Sequence, residues 1–184
     1  NTRFGSSTNP SYPASAFNSA LGALFNGSVK ITCTNGQDLA SVVHTFWNRP
    51  SENAASTYQS VAGPGATSVY VPYAPRIKSG SAWVRWSKIA VQNLTGSAAS
   101  ISLTYYNLDG STALTVGDSI AAYSGDAYNT RFGSDGGAIA GSAFAAVGDS
   151  YVGGVKITST QSLAAVVNVI AKPNWSSTYN AYTE

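Results

Sequence analysis

The sequence predicts an all-β fold: an antiparallel β-sandwich, Ig-like or jelly-roll-like, with one and a half internal repeats. Three observations lead to this prediction. Short alternations of apolar and polar residues recur along the 184 residues, which is the period of a half-buried strand. Gly, Ser and Asn separate these segments at short spacing, as they do in sandwiches. Only one weak helix signal, near residues 14–24, interrupts the pattern.

The clearest strands lie in the middle of the chain. Residues 86–92 and 100–105 alternate, with the apolar side chains of each on one face. Residues 93–97 are typical of a hairpin loop between them, and residues 107–110 of a turn into a third strand. Further strands are predicted near residues 29–34, 39–47, 56–62, 67–73, 112–122, 151–159, 163–171 and 177–183.

An internal repeat organises the chain. The hexapeptide Asn-Thr-Arg-Phe-Gly-Ser occurs at residues 1–6 and again at 129–134. Four further matches follow in the same order with slowly shrinking offsets: residues 15–17 with 142–144, 29–32 with 155–158, 39–43 with 163–167, and 56–58 with 177–179. Ordered matches of this kind indicate a duplicated unit that has lost short pieces of its loops.

The repeat has an unusual phase. One full unit covers residues 64–184, and residues 1–63 match only its second half, 129–184. The sequence therefore predicts a half-repeat module at 1–63 and a complete sandwich repeat at 64–184. Half a sandwich leaves strand edges and an apolar face uncovered, so the first module needs complementation. Three sources are open: residues 64–128 of the same chain, strand exchange with another subunit, or a neighbouring module if the chain is cut from a longer array.

Composition narrows the classes of function. Charged residues make up 10% of the chain, against about 25% in ordinary domains. The net charge of +2 supplies no basic face for nucleic acid, and no apolar run is long enough to span a membrane. The chain contains no Met, so Asn1 indicates a processed N-terminus or a segment of something longer. Few charges and many hydroxyl groups predict an extracellular or cell-surface protein.

The residues offer no catalytic, cofactor or metal site. Cys33, the only cysteine, is expected to be a small buried residue on the strand face of Val29 and Ile31. His44, the only histidine, is expected to be a structural polar residue because its repeat partner is Asn168. The acidic residues are scattered singly, mostly beside Gly or Ser, which is typical of turns rather than of a glycosidase pair or a calcium site. We therefore expect no enzymatic activity and no cofactor.

Two features concern carbohydrate. Asn26, Asn93 and Asn174 each begin an Asn-X-Ser/Thr sequon and are candidate glycosylation sites. Trp83 and Trp86 lie three residues apart, so they face opposite sides of a regular strand. They cannot form one flat sugar-binding platform unless a bulge intervenes.

Five segments carry a family pattern: Tyr70 to Tyr73, Trp86 to Asn93, Leu103 to Gly110, Gly154 to Ile157, and Leu163 to Asn168. Together they resemble a tandem β-sandwich repeat of large secreted and surface proteins of filamentous bacteria such as Chloroflexota. The resemblance covers residues 64–184, and its second half recurs in residues 1–63. The first copy departs from the pattern at one position, where it has His44 and the second copy has Asn168. The resemblance implies an extracellular structural or adhesive role without catalytic residues. The half-unit phase also resembles, more loosely, subunits of donor-strand surface filaments.

These observations together predict a structural subunit of an extracellular or cell-surface filament or array. It would assemble from copies of itself by β-strand exchange. The alternative is a monomeric carbohydrate-binding or adhesin module, whose partner would be a surface glycan. The terminal strand 177–184 is the expected donated element, with residues 1–6 near the joint and Arg3, the repeat partner of Arg131, among them. The candidate interface residues are Asn1, Thr2, Arg3, Phe4, Ser177, Thr178, Tyr179 and Tyr182.

Overall fold

A computed structural model describes residues 14–22, 27–49, 52–173 and 175–183. The predictions for residues 1–6, Asn26 and Asn174 lie outside the described residues. The chain divides into two compact units, residues 1–30 and 31–184. In the first unit, helix α1 spans Ala14–Leu21, where the sequence predicts a weak helix. The predicted sequence modules, 1–63 and 64–184, remain a prediction about the repeat.

The strands β1 to β13 belong to the second unit, and the predicted all-β class is confirmed. Their bounds are Val42–Arg49 (β1), Glu52–Gln59 (β2), Ala66–Val71 (β3), Arg76–Ser79 (β4), Ala82–Asn93 (β5), Ala99–Tyr106 (β6), Thr112–Ile120 (β7), Gly125–Asn129 (β8), Gly133–Ser134 (β9), Ser150–Tyr151 (β10), Gly154–Ala171 (β11), Trp175–Asn180 (β12) and Tyr182–Thr183 (β13). A short 3-10 helix spans Ala143–Val147.

The long strand β11 organises the second unit because the strands on both sides of the core are built on it. Its first part pairs with β3 and β6, and its second part pairs with β5 and β12. Its register shifts between Thr158 and Leu163, and such an irregularity lets one strand bend from one sheet into the next. The pairings are antiparallel, and the sheets curl into a half-barrel around one core.

The core is formed by the faces that the alternation predicts. The apolar side chains of β5, β6 and β11 point inward and are buried together. These side chains are Ile89, Val91, Ile101, Leu103, Tyr105, Val155, Ile157, Leu163, Val167 and Val169. Phe144 of the 3-10 helix closes this core, with its ring edge-on to Tyr105 at a centroid distance of 5.6 Å.

The predicted hairpin between β5 and β6 is wrong, although both strands form. β5 pairs with β4, β8 and β11, whereas β6 pairs with β7 and β11. Residues 94–98 therefore lead from β5, which pairs with the second part of β11, to β6, which pairs with its first part. The hairpin is formed by β6 and β7 around the turn at residues 107–110. Alternation predicts which face of a strand is buried, but it does not select the strand's partner.

Two predictions about the first copy of the repeat are also wrong. Residues 29–34 do not form a strand, and a turn occupies residues 34–36. Cys33 is half-buried rather than buried in a core, and its thiol donates a hydrogen bond to Oδ1 of Asn35 at 2.6 Å. Both differences follow from the missing strand partners described below.

Candidate assembly interface

The two copies of the repeat form hairpins with the same register. In the first copy, β1 and β2 place His44 opposite Thr57; in the second, β11 and β12 place Asn168 opposite Thr178. Nδ1 of His44 hydrogen-bonds with Oγ1 of Thr57 at 2.8 Å, and the Thr178 hydroxyl donates to Oδ1 of Asn168. His44 therefore occupies a structural polar position equivalent to that of Asn168.

The first-copy hairpin is attached to the second-copy hairpin. Strand β2 lies alongside β12, and the hydroxyl groups of Ser56 and Thr178 hydrogen-bond to each other. The hairpin of β1 and β2 is thus held by its own chain. The residues that precede β1 have a different environment.

The residues before β1 repeat the apolar pattern of β11 but remain in solvent. Ile31 and Leu39 expose 63% and 55% of their surface, and Val29 is exposed as well. Their equivalents Ile157 and Leu163 are 0% exposed. The same residue types at the same repeat positions are therefore core in one copy and surface in the other.

The second copy shows which strands cover the equivalent positions. There, Ile157 lies opposite Val69 of β3 on one side and Leu103 of β6 on the other. Both partners belong to the first half-repeat, residues 64–128, which the chain contains once and which β11 already occupies. Because a strand needs neighbours to be stable, residues 28–41 form no strand. We refer to residues 29–41, whose apolar side chains are exposed, as the uncovered segment.

The terminal strand is docked on its own chain. Ser177, Thr178 and Tyr179 pair with β11, and Tyr182 pairs with β3. The Tyr179 hydroxyl donates to the carbonyl of Tyr73, and burial raises the pKa of Tyr179 to about 12. These predicted interface residues thus take part in intrachain pairing, whereas the exposed apolar residues lie in the uncovered segment.

The second copy of the Asn-Thr-Arg-Phe motif packs on an aromatic pair. The register of β4 against β5 shifts by one residue, and this bulge brings the rings of Trp83 and Trp86 to a centroid distance of 6.3 Å. The Arg131 guanidinium lies over both rings, at 5.5 and 4.7 Å. The rings meet at 73° and Trp86 is buried, so the pair forms no flat platform. Phe132 beside them is exposed.

An open cleft is lined by two acidic residues, Asp109 and Asp149. Hydrogen bonds from Ser111 lower the pKa of Asp109, and hydrogen bonds from Arg76 and Lys78 lower the pKa of Asp149. Both carboxyl groups are therefore ionised near neutral pH, whereas a glycosidase needs one of its two to be protonated. The two carboxyl groups therefore do not form the acid and base pair of a glycosidase.

Two features are absent from the part of the chain that the structure describes. Those residues contain no group of three or more His, Cys, Asp or Glu side chains that could hold a metal ion. They also form no helix that is both long and apolar enough to cross a membrane.

Asn93 is buried and its side-chain amide is fully engaged. Its Nδ2 donates to the carbonyls of Ser97 and Ala121, and its Oδ1 accepts from both the amide and the hydroxyl of Thr95. A glycan on Nδ2 would have to occupy this closed site. The predicted glycosylation of Asn93 therefore conflicts with the fold.

No family model matches the chain, and no curated protein matches it. A solved structure of the Thermotoga maritima protein 1070 is similar with a TM-score of 0.47 and 14% identity, over 65% of this chain and 96% of that chain. A likeness of this size carries no argument about function.

Proposed function

We propose that this chain is a non-enzymatic structural subunit of an extracellular or cell-surface filament or array, in which strands are exchanged between subunits. The observation that carries the proposal is the uncovered segment, a second copy of a core strand whose apolar side chains lie in solvent. Burying one such side chain contributes roughly 1.5–3 kcal/mol. The uncovered segment therefore favours association with another polypeptide.

The nature of this contact supports an extended assembly. A strand that leaves one subunit and enters a different surface of its neighbour makes a head-to-tail contact, and such contacts produce filaments when the rotation does not close. The simplest assembly of this kind is a homopolymer. The low charge of the chain, 10% of residues, fits a surface that lies against similar surfaces with little repulsion.

The test is a charge placed in the uncovered segment. Ile31→Asp should weaken assembly by at least about tenfold, because the strand would have to bury a carboxylate. Leu108→Asp is the matched control, since Leu108 is 84% exposed in the β6–β7 turn, outside the uncovered segment. Negative-stain microscopy and sedimentation velocity measure the assemblies, and circular dichroism checks the fold. Filaments that survive Ile31→Asp, or wild-type protein that stays monomeric when concentrated, would overturn the proposal.

The second candidate is a monomeric glycan-binding or adhesin module. It is favoured by the bulge that gathers Trp83, Arg131 and the exposed Phe132 on one surface. This candidate predicts saturable polysaccharide binding by a monomer. Trp83→Ala would abolish that binding, and Ile31→Asp would leave it unchanged. Glycan arrays with both variants separate it from the filament proposal.

A further inference from the structure

The chain contains an unequal number of repeat halves. Residues 1–63 and 129–184 are two copies of the second half, whereas residues 64–128 are a single copy of the first half. Strand β11 fills the place between β3 and β6 in that copy. An identical chain can accept the uncovered segment in this place when its own β11 is displaced, which is strand exchange between subunits.

We infer that the partner of residues 1–63 is an unoccupied half-sandwich of the 64–128 type. This inference rests on the proposed assembly function, because it names the partner of the same uncovered segment. The partner offers the edges of two strands, equivalent to β3 and β6, with an apolar floor between them. It presents the same apolar side chains that lie on either side of Ile157 in the second copy.

The second copy also predicts the register of the complex. Val155 lies opposite Val71 and Tyr105, and Ile157 lies opposite Val69 and Leu103. Val29 and Ile31 should take these two positions against the partner's equivalents.

The two copies differ in length at the position where the register of β11 shifts. The first copy has two more residues than the second between the matched positions Thr32 and Leu39. The turn at residues 34–36 lies in this stretch, where β11 shifts its register between Thr158 and Leu163. The extra residues therefore fall at the bulge, and the apolar positions on either side of it keep their alternation.

The repeat itself supplies the design of the test. Residue 128 is followed by Asn129, and Asn1 is the repeat equivalent of Asn129. An additional copy of residues 64–128, joined directly in front of Asn1, therefore reproduces the natural junction without a linker. In this fusion the full chain is retained, and its uncovered segment has an unoccupied half-sandwich beside it.

We expect the added half to cover the segment. Amide hydrogen exchange at residues 29–43 should slow by about 100-fold or more relative to the unfused chain. Cys33 is the only cysteine, so its reaction with a thiol reagent provides a second readout and should slow by about tenfold. The fusion should also remain monomeric at concentrations where the unfused chain assembles.

The matched control is the same fusion with Leu103→Asp in the added half only, which should restore fast exchange at residues 29–43. Protected β6 amides in the original half show that residues 64–184 remain folded. Unchanged exchange in the fusion, with assembly of the wild-type chain intact, would overturn this inference and leave the proposed function standing. Protection in the fusion without any assembly of the wild-type chain would support the inference and overturn the filament role.

Discussion

Arg76 is a buried charge that joins separate parts of the second unit. Its Nε donates to the carbonyl of Thr130 at 3.1 Å, and its Nη1 donates to the carbonyl of Gly148 at 2.7 Å and to the Asp149 carboxylate. Thr130 is itself buried, and its hydroxyl accepts from the amide of Ser87 at 3.1 Å. The arginine thus fixes the duplicated motif and the loop before β10 against β4.

We expect Arg76→Met to lower the free energy of unfolding by about 2–4 kcal/mol, because buried acceptors lose their charged donor. The control is Lys88→Met, which removes a half-exposed ion pair with Asp135 at 2.7 Å and should cost less than about 1 kcal/mol. Urea denaturation of both variants measures the difference. Equal losses would mean that the Arg76 bonds contribute no more than a surface pair.

Asn93 illustrates a residue whose role depends on burial. As a sequon it predicts a glycan, yet in the fold its amide joins the loop after β5 to the residues that follow β7. A three-residue motif reports the residue types that a transferase recognises, but it carries no information about access. The closed site around Asn93 is decided by long-range packing.

At the scale of elements, the short strand β9 and the loop after it each depend on a glycine, for different reasons. Gly133 has φ +97°, and a Cβ there would lie 2.3 Å from the carbonyl oxygen of Ile139 and 2.7 Å from the amide nitrogen of Gly141. Gly137 has φ +80°, but nothing lies within 4 Å of a Cβ at that position. Both glycines adopt a left-handed backbone, and Gly133 alone of the two also permits close backbone approach.

This contrast predicts the cost of adding a methyl group. Gly137→Ala should destabilise the protein by about 1 kcal/mol through its backbone conformation. Gly133→Ala should cost at least about 2 kcal/mol more, because the backbone at residues 139–141 must move. Thermal unfolding followed by circular dichroism compares them. Similar melting temperatures for the two variants would show that the close approach is relieved at little cost.

At the scale of the whole molecule, the proposed assembly is driven by apolar burial and strand pairing rather than by charge. The uncovered segment carries one cation, Lys30, and one anion, Asp38. We expect the assembly constant to change by less than about threefold between 50 and 500 mM NaCl, and sodium sulfate to strengthen assembly. Sedimentation velocity at both salt concentrations measures this. A tenfold loss in high salt would point to a charge-driven contact instead.

Local pattern is sufficient to predict a large part of this protein. Period-2 alternation identifies the buried faces of β5 and β6, because a strand's side chains alternate whatever its neighbours are. The duplication identifies the unequal number of halves and the equivalence of His44 with Asn168, and the matched register of the two hairpins agrees with it. These are properties of short segments or of their comparison, so they need no knowledge of contacts.

Contacts between distant residues decide the rest. The strand that pairs with β5, the bulge that brings Trp83 beside Trp86, and the closure of the Asn93 site all depend on which segments compete for the same neighbours. The same applies to the apolar pattern shared by Ile31 and Ile157. One is surface and the other is core, because the chain provides a single half-sandwich and β11 occupies it.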